Sequence, residues 1–175
     1  MTLLRALVSG LLCIAAPMSA MAQTPPRPCL TEPETEALFQ VMLPDMIRET
    51  GRICAALPPN AFLRRPPAGF LARVDAGVAP ATPSAQGAIR KLLGQQGAVF
   101  AESRLAIPMA RALFVPLAAQ QIKPQDCPGL DKIVSNLAPL PPRNLAAVFA
   151  ALLQISQNDG KRGPRLPICP MGGAR

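Results

Sequence analysis

Histidine, tryptophan and tyrosine are wholly missing from these 175 residues, and the six phenylalanines are the only aromatic side chains. Without histidine there is no Ser-His-Asp or Cys-His machinery, no paired-histidine metal helix and no imidazole acid or base near neutral pH. Without tryptophan or tyrosine the stacking platforms of sugar sites are missing, and nothing is interleaved with the basic residues to stack on nucleic-acid bases. Past the first 22 residues serine occurs only at 84, 103, 135 and 156, never in a G-x-S-x-G or S-x-x-K setting. Gly94 and Gly97 lie beside glutamines, with no following Lys-Ser/Thr to complete a phosphate loop. No cysteine pair has C-x-x-C spacing, so a thioredoxin-like redox couple is excluded. Met42 and Met46, a helical turn apart, and Met109 could form a thioether site for Cu(I), but methionine at that spacing ordinarily fills core gaps. Carboxylate catalysis would need two acids across one cleft. Beyond the first helix the acids are Asp75, Glu102, Asp126, Asp131 and Asp159, of which Glu102 adjoins the most apolar stretch. No catalytic residue, metal or cofactor is expected, and the chain reads as a non-enzyme.

What is present begins with a leader. Residues 1–22 combine Arg5, an apolar run from Ala6 to Ala16 and the small-x-small site Ala20-Met21-Ala22, the pattern of a secretory signal cleaved after Ala22. Leu12 precedes Cys13 where a lipoprotein signal would want a small residue, so Cys13 is left out of the structural count. Losing Arg5 takes the formal net charge from +8 to +7. The 14 arginines outnumber the 4 lysines, and alanine and proline are abundant, which fits a GC-rich bacterial genome and a periplasmic or secreted product. The four remaining cysteines, Cys29, Cys54, Cys127 and Cys169, imply two disulfides in an oxidising compartment.

Along the chain, residues 23–30 are a proline-rich, extended lead-in. Thr31 with Glu34 forms a capping box, Pro33 is tolerated in a first turn, and glutamates 32, 34 and 36 suit the positive end of a helix. Leu38, Phe39, Met42, Leu43, Met46, Ile47 and Ile53 then recur at helical spacing to about Ala56, with Asp45, Arg48, Glu49 and Arg52 opposite. Pro44 inside this run predicts a kink. A helix of roughly 24 residues is about 36 Å long, whereas bridged Cα atoms lie within about 7 Å. Pairing Cys29 with Cys54 and Cys127 with Cys169 therefore requires a reversal at Pro44, and the favoured alternative is a crossed pairing that ties the first helix to the Cys127–Cys169 region. A short helix from Pro67 to Ala76 closes at Gly77. Thr82-Pro83 and Gly94 bracket a helix over 83–93.

The stretch 98–122 is apolar nearly all round and too short to cross a membrane, so it is expected at the centre of the fold. Pro108 and Pro116 should bend or divide it, and the carbonyls they free call for donors, for which arginines are candidates. Lys123 to Pro128 reads as a loop carrying Cys127, Leu130 to Leu137 as a short helix, and Pro139 to Pro142 as a stiff connector. Asn144 is the expected cap of a helix with the stripe Leu145, Val148, Phe149, Leu152 and Ile155, flanked by Ala146, Ala147, Ala150 and Ala151, and ended by Gly160. Residues 161–175 form a basic tail held by Cys169.

The fold class is therefore all-α: a small orthogonal or irregular bundle of some five to seven helices around a proline-bent central helix, with residues 31–160 as one domain. Arg48 with Arg52, Arg64-Arg65, and Lys161-Arg162 with Arg165 make a basic surface that points to an envelope protein, or an anionic lipid or polymer, and not to nucleic acid. The expected role is a structural or envelope-binding module. The alternative is a periplasmic carrier of an apolar or amphiphilic anionic ligand, with Arg104, Arg111, Pro108 and Pro116 as the candidate binding residues.

Overall fold

The computed structural model describes residues 28–158 and 166–170. The leader, most of the lead-in, Asp159, Gly160 and the basic residues Lys161, Arg162 and Arg165 lie outside them. The described residues form seven α-helices and no strand: α1 (Glu32–Ile53), α2 (Ala68–Ala76), α3 (Val78–Leu93), α4 (Ala98–Ala101), α5 (Ala106–Ala119), α6 (Cys127–Leu137) and α7 (Pro142–Asn158). Among these residues no helix is long and apolar enough to cross a membrane.

The hub is α1 and not the 98–122 stretch. The capping box forms as expected, the Glu34 carboxylate accepting the Thr31 backbone N–H at 2.8 Å and its hydroxyl at 2.9 Å. From there the helix runs unbroken through Pro44. Its apolar side chains point several ways. Leu38, Val41 and Met42 pack with α3, α4 and α5; Leu43 and Ile47 pack with α2, α6 and Leu145; Phe39 packs with Ala146 and Ala150 of α7. A helix that feeds three clusters has little surface left, and ten of its 22 residues are buried.

The 98–122 stretch lies at the edge of the bundle, for a reason of size. Its inward side chains are mostly small, Ala101, Ala106, Ala110 and Ala119 with Ile107 and Val115, and they let α5 approach α1 closely. Its leucines and Met109 face outward, while Phe100 and Phe114 pack partly buried against the core. The stretch is divided, but not at its prolines: a turn over residues 102–105, with Ser103 N–H donating to Phe100 O at 2.9 Å, separates α4 from α5. Pro108 falls in the first turn of α5, where no amide donor is required, while Pro116 lies inside the helix.

Three boundaries differ from the sequence reading. α3 begins at Val78, directly after α2, and Thr82 does not cap it; the Thr82 hydroxyl instead donates to Val78 O at 2.9 Å within the helix. This tight α2–α3 corner depends on Gly77, where a Cβ would come 2.9 Å from the Pro142 Cβ. The Gly77 carbonyl accepts the buried Gln40 amide at 2.9 Å. Cys127 opens α6 instead of lying in a loop, because the turn at Pro124–Asp126 leads straight into it. α7 starts at Pro142, two residues before Asn144, in keeping with proline's preset φ at a first helical position. Its inward face is also rotated: Leu145, Ala146 and Ala150 are buried, whereas Leu152 and Ile155 are half exposed.

Two disulfides fasten α1 at both ends. Cys29 pairs with Cys169 and Cys54 with Cys127, at Cα separations of 5.0 and 5.5 Å. An unbroken first helix excludes a Cys29–Cys54 bridge, and this is one of the two pairings it leaves. Residues 166–170 are held by more than Cys169, since Leu30 and Ile168 form a parallel bridge with Leu30 N–H to Pro167 O at 2.7 Å, and Gln154 donates to Cys169 O at 3.0 Å. Bridges of this kind belong to an oxidising, non-cytoplasmic compartment.

Candidate functional site

Three neighbouring features occupy the side of the molecule where α1 meets α5. The first is the outer face of α5. Leu105, Met109, Leu113 and Leu117 recur every fourth residue and are 63, 47, 60 and 51% exposed. Pro108, Ala112 and Pro116 between them are exposed too. Contiguous apolar surface of this kind marks an interaction site more often than scattered exposed leucines do. Arg104 and Lys123 are exposed at its two ends, and no aspartate or glutamate occurs from Ser103 to Gln125.

The second is a polar groove between that face and α1. It is lined by Asp45, Arg48, Glu49 and Arg52 from α1, and by Arg111 with Pro108 and Pro116 from α5. Arg48 is held by Asp75, with Nη2 donating to both carboxylate oxygens at 2.7 and 3.0 Å, and more loosely by Asp45 at 3.4 Å. The hydrogen bonding of this nitrogen to Asp75 is the main cause that raises the Arg48 pKa above its ordinary value. Arg52 grips Glu49 through Nη2 and Nε at 2.6 and 2.9 Å, and this bond keeps the Glu49 carboxyl below its ordinary value. Arg111 is turned inward. Its Nε donates to Val41 O at 2.7 Å and lies 3.6 Å from the Asp45 carboxylate, while its Nη2 is buried with no hydrogen-bond partner.

The carbonyl that Pro44 frees is that of Gln40, four residues back, and Val41 O is the next along the helix. Arg111 thus donates to an α1 carbonyl, not to one of those that Pro108 and Pro116 free, for which the sequence suggested arginine donors.

The third feature is a partly open apolar cavity of about 180 Å³ below the groove, walled by α1, α5, α6, α7 and Leu63. Ile47, Leu63, Val115, Ile122, Val134 and Phe149 supply most of its wall, and Glu49 and Val115 belong to groove and cavity alike. Only Glu49 and Thr50 are polar, and the Thr50 hydroxyl is committed to Met46 O at 2.7 Å.

Of the four residues picked from the sequence, Arg111, Pro108 and Pro116 share the groove. Arg104 does not; it is exposed in the turn before α5. The residues missed are Asp45 and Glu49 with Arg48 and Arg52, across from them on α1. Their four-residue spacing on the polar side of α1 was visible, but which helix they would face was not.

The carboxylates singled out earlier have structural partners: Glu102 with Arg90 at 3.2 Å, Asp131 with the Leu63 N–H at 2.7 Å, and Asp126 with the Lys123 N–H at 3.1 Å. Met42 is buried in the core whereas Met109 lies on the outer face of α5, so the three methionines do not form one site. Among the described residues no group of three or more Cys, Asp or Glu could hold a metal ion. No protein-family model, curated protein or solved structure matches the chain.

Proposed function

We propose that the protein is a non-enzymatic, disulfide-stapled helical module of the cell envelope that docks on an anionic lipid surface through the outer face of α5. The observation that carries this reading is the exposed stripe Leu105, Met109, Leu113 and Leu117 with cations at both ends and no acid along it. An apolar face flanked by Arg and Lys matches the boundary between acyl chains and anionic headgroups, where long basic side chains reach the phosphates while leucines enter the hydrocarbon. A second copy of the chain is the weaker occupant, because it would bring Arg104 and Lys123 against their own kind.

Vesicle flotation tests it. The oxidised protein should bind phosphatidylglycerol vesicles, bind phosphatidylcholine vesicles far less, and be released by salt, since surface attraction fades within a Debye length. Each cation near the surface adds about 1 kcal/mol, so Arg104→Gln with Lys123→Gln should weaken binding by roughly 30-fold. Leu113→Glu with Leu117→Glu should abolish it. Equal binding to neutral and anionic vesicles, or no binding together with a dimer in solution, would overturn the reading.

A further inference from the structure

We infer that the cavity under the α1–α5 groove receives the tail of a medium-chain anionic amphiphile, with its head among Arg48, Arg52 and Arg111. The inference does not depend on α5 docking to a surface, because the cavity is walled on α5 by Val115, Ala118 and Ala119 and not by Leu105, Met109, Leu113 or Leu117. A cavity of about 180 Å³ slightly exceeds the dry apolar cavity of about 150 Å³ that takes up benzene. It accommodates some six to eight methylenes by that comparison. Its wall has no free polar group to hold water: Thr50 is spent on Met46 O, and Glu49 on Arg52. An apolar tail therefore suits it better than solvent.

The head follows from the groove that adjoins it. A guanidinium carries five N–H donors. Arg52 spends its Nε and Nη2 on Glu49, and Arg111 spends its Nε on Val41 O and leaves Nη2 without a partner. Unpartnered buried donors are rare and point to an acceptor that completes the site. A carboxylate or similar oxyanion supplies two acceptor oxygens, and Glu49 and Val115, which line groove and cavity alike, mark where head and tail would join. Asp45 and Glu49 in the groove, and Asp75 against Arg48, largely offset the three cations. Recognition of the head consequently rests on hydrogen bonds more than on net charge. Binding should respond weakly to salt, unlike docking through α5.

The test is titration calorimetry of the oxidised protein with straight-chain carboxylates. Affinity should rise about fourfold per methylene up to roughly eight carbons and level off once the cavity is full. Octanol, with the same tail and a neutral head, should bind at least tenfold more weakly than octanoate. Arg52→Gln should erase most of that difference while leaving octanol unchanged. Ala118→Phe should fill the cavity and remove binding of both, with helical circular dichroism retained. Should that variant fail to fold, methyl NMR of the unaltered protein decides, because octanoate must shift Ile47, Val115, Ile122 and Val134. No octanoate binding at millimolar concentration, shifts elsewhere, or binding that survives Ala118→Phe would overturn the inference.

Discussion

Replacing Cys29 and Cys169 with serine isolates the contribution of the outer bridge, and its size can be worked from the nesting of the two disulfides. One bridge closes a loop of 140 residues and the other a loop of 73 inside it. Loop-closure entropy grows with the logarithm of the loop, so with the inner bridge in place the outer one closes only the 67 residues left when 73 are taken from 140. It then contributes about 4.4 kcal/mol, against about 5.0 alone. The inner bridge, which cuts an existing ring into two smaller ones, contributes about 3.8 kcal/mol. Losing both costs about 8.8 kcal/mol, within the range of about 5–15 kcal/mol that is the whole stability of a small domain. The fully reduced protein should therefore unfold near room temperature, and each singly bridged form should remain folded with a lowered urea midpoint. Because tryptophan and tyrosine are absent, far-ultraviolet circular dichroism is the appropriate probe. Cys54 and Cys127 are buried, so replacing them with alanine also leaves a void and the measured loss should exceed the loop figure. The outer pair is less buried and gives the cleaner test. A loss below about 1 kcal/mol on removing the outer bridge would refute the loop argument and show that the termini add little.

Two helical glycines should respond to alanine with opposite signs. At Gly87 a Cβ would meet nothing nearer than a Glu34 oxygen at 4.0 Å, so Gly87→Ala should stabilise α3 by up to about 1 kcal/mol. At Gly51 the Cβ would fall 2.4 Å from the Leu63 carbonyl oxygen, so the propensity gain is outweighed by overpacking, and Gly51→Ala should cost about 1–3 kcal/mol in urea unfolding. Glu34 supplies the pH dependence. Burial pushes its carboxyl up, but hydrogen bonds from Lys91 and Thr31 outweigh this and hold the pKa below 4.5. A depressed folded-state pKa means stability present above 4.5 and lost as pH falls through the lower, folded value. Thermal unfolding from pH 6 down to pH 3 should show a drop in midpoint that is smaller in Glu34→Gln, and an equal drop in both proteins would refute the assignment.

The helical class, the Thr31 cap and the exclusion of a Cys29–Cys54 bridge were legible because each rests on local chemistry or on length: a capping box, and a helix too long for its ends to meet; which of the two distal cysteines each end takes was not. The hub was not. The 98–122 stretch is the most apolar part of the chain after the leader, yet hydropathy does not distinguish alanine pointing inward from leucine pointing outward. α1 looks merely amphipathic, with Asp45, Arg48, Glu49 and Arg52 interrupting it, but those residues occupy a single flank while Leu38, Phe39, Val41 and Leu43 fan out to three clusters. The starts of α3 and α7 were misplaced for a related reason. Thr82 and Asn144 have the chemistry of caps, but Gly77 and Pro142 meet at a corner that starts both helices earlier. The binding residues were half legible, since Arg111, Pro108 and Pro116 come from one segment and their α1 partners are fixed only by the packing of the two helices.

The orientation of α5 carries the functional argument further. Turning the helix by half a turn would bury Leu105, Met109, Leu113 and Leu117, each worth about 1.5–3 kcal/mol when fully taken out of water. Burial alone would choose that orientation. The observed one is held by Arg111, whose Nε reaches Val41 O beside the proline of α1, and by Ala106 and Ala110, whose small side chains allow α1 and α5 to touch. Rotating the helix would put leucines into a space sized for alanines, and would take the Arg111 guanidinium away from Val41 O. The apolar stripe thus faces outward because a polar tether and a close packing contact fix the helix by its other side. A surface kept exposed against the pull of its own hydrophobicity is one that a partner, in our proposal an anionic lipid surface, can bury.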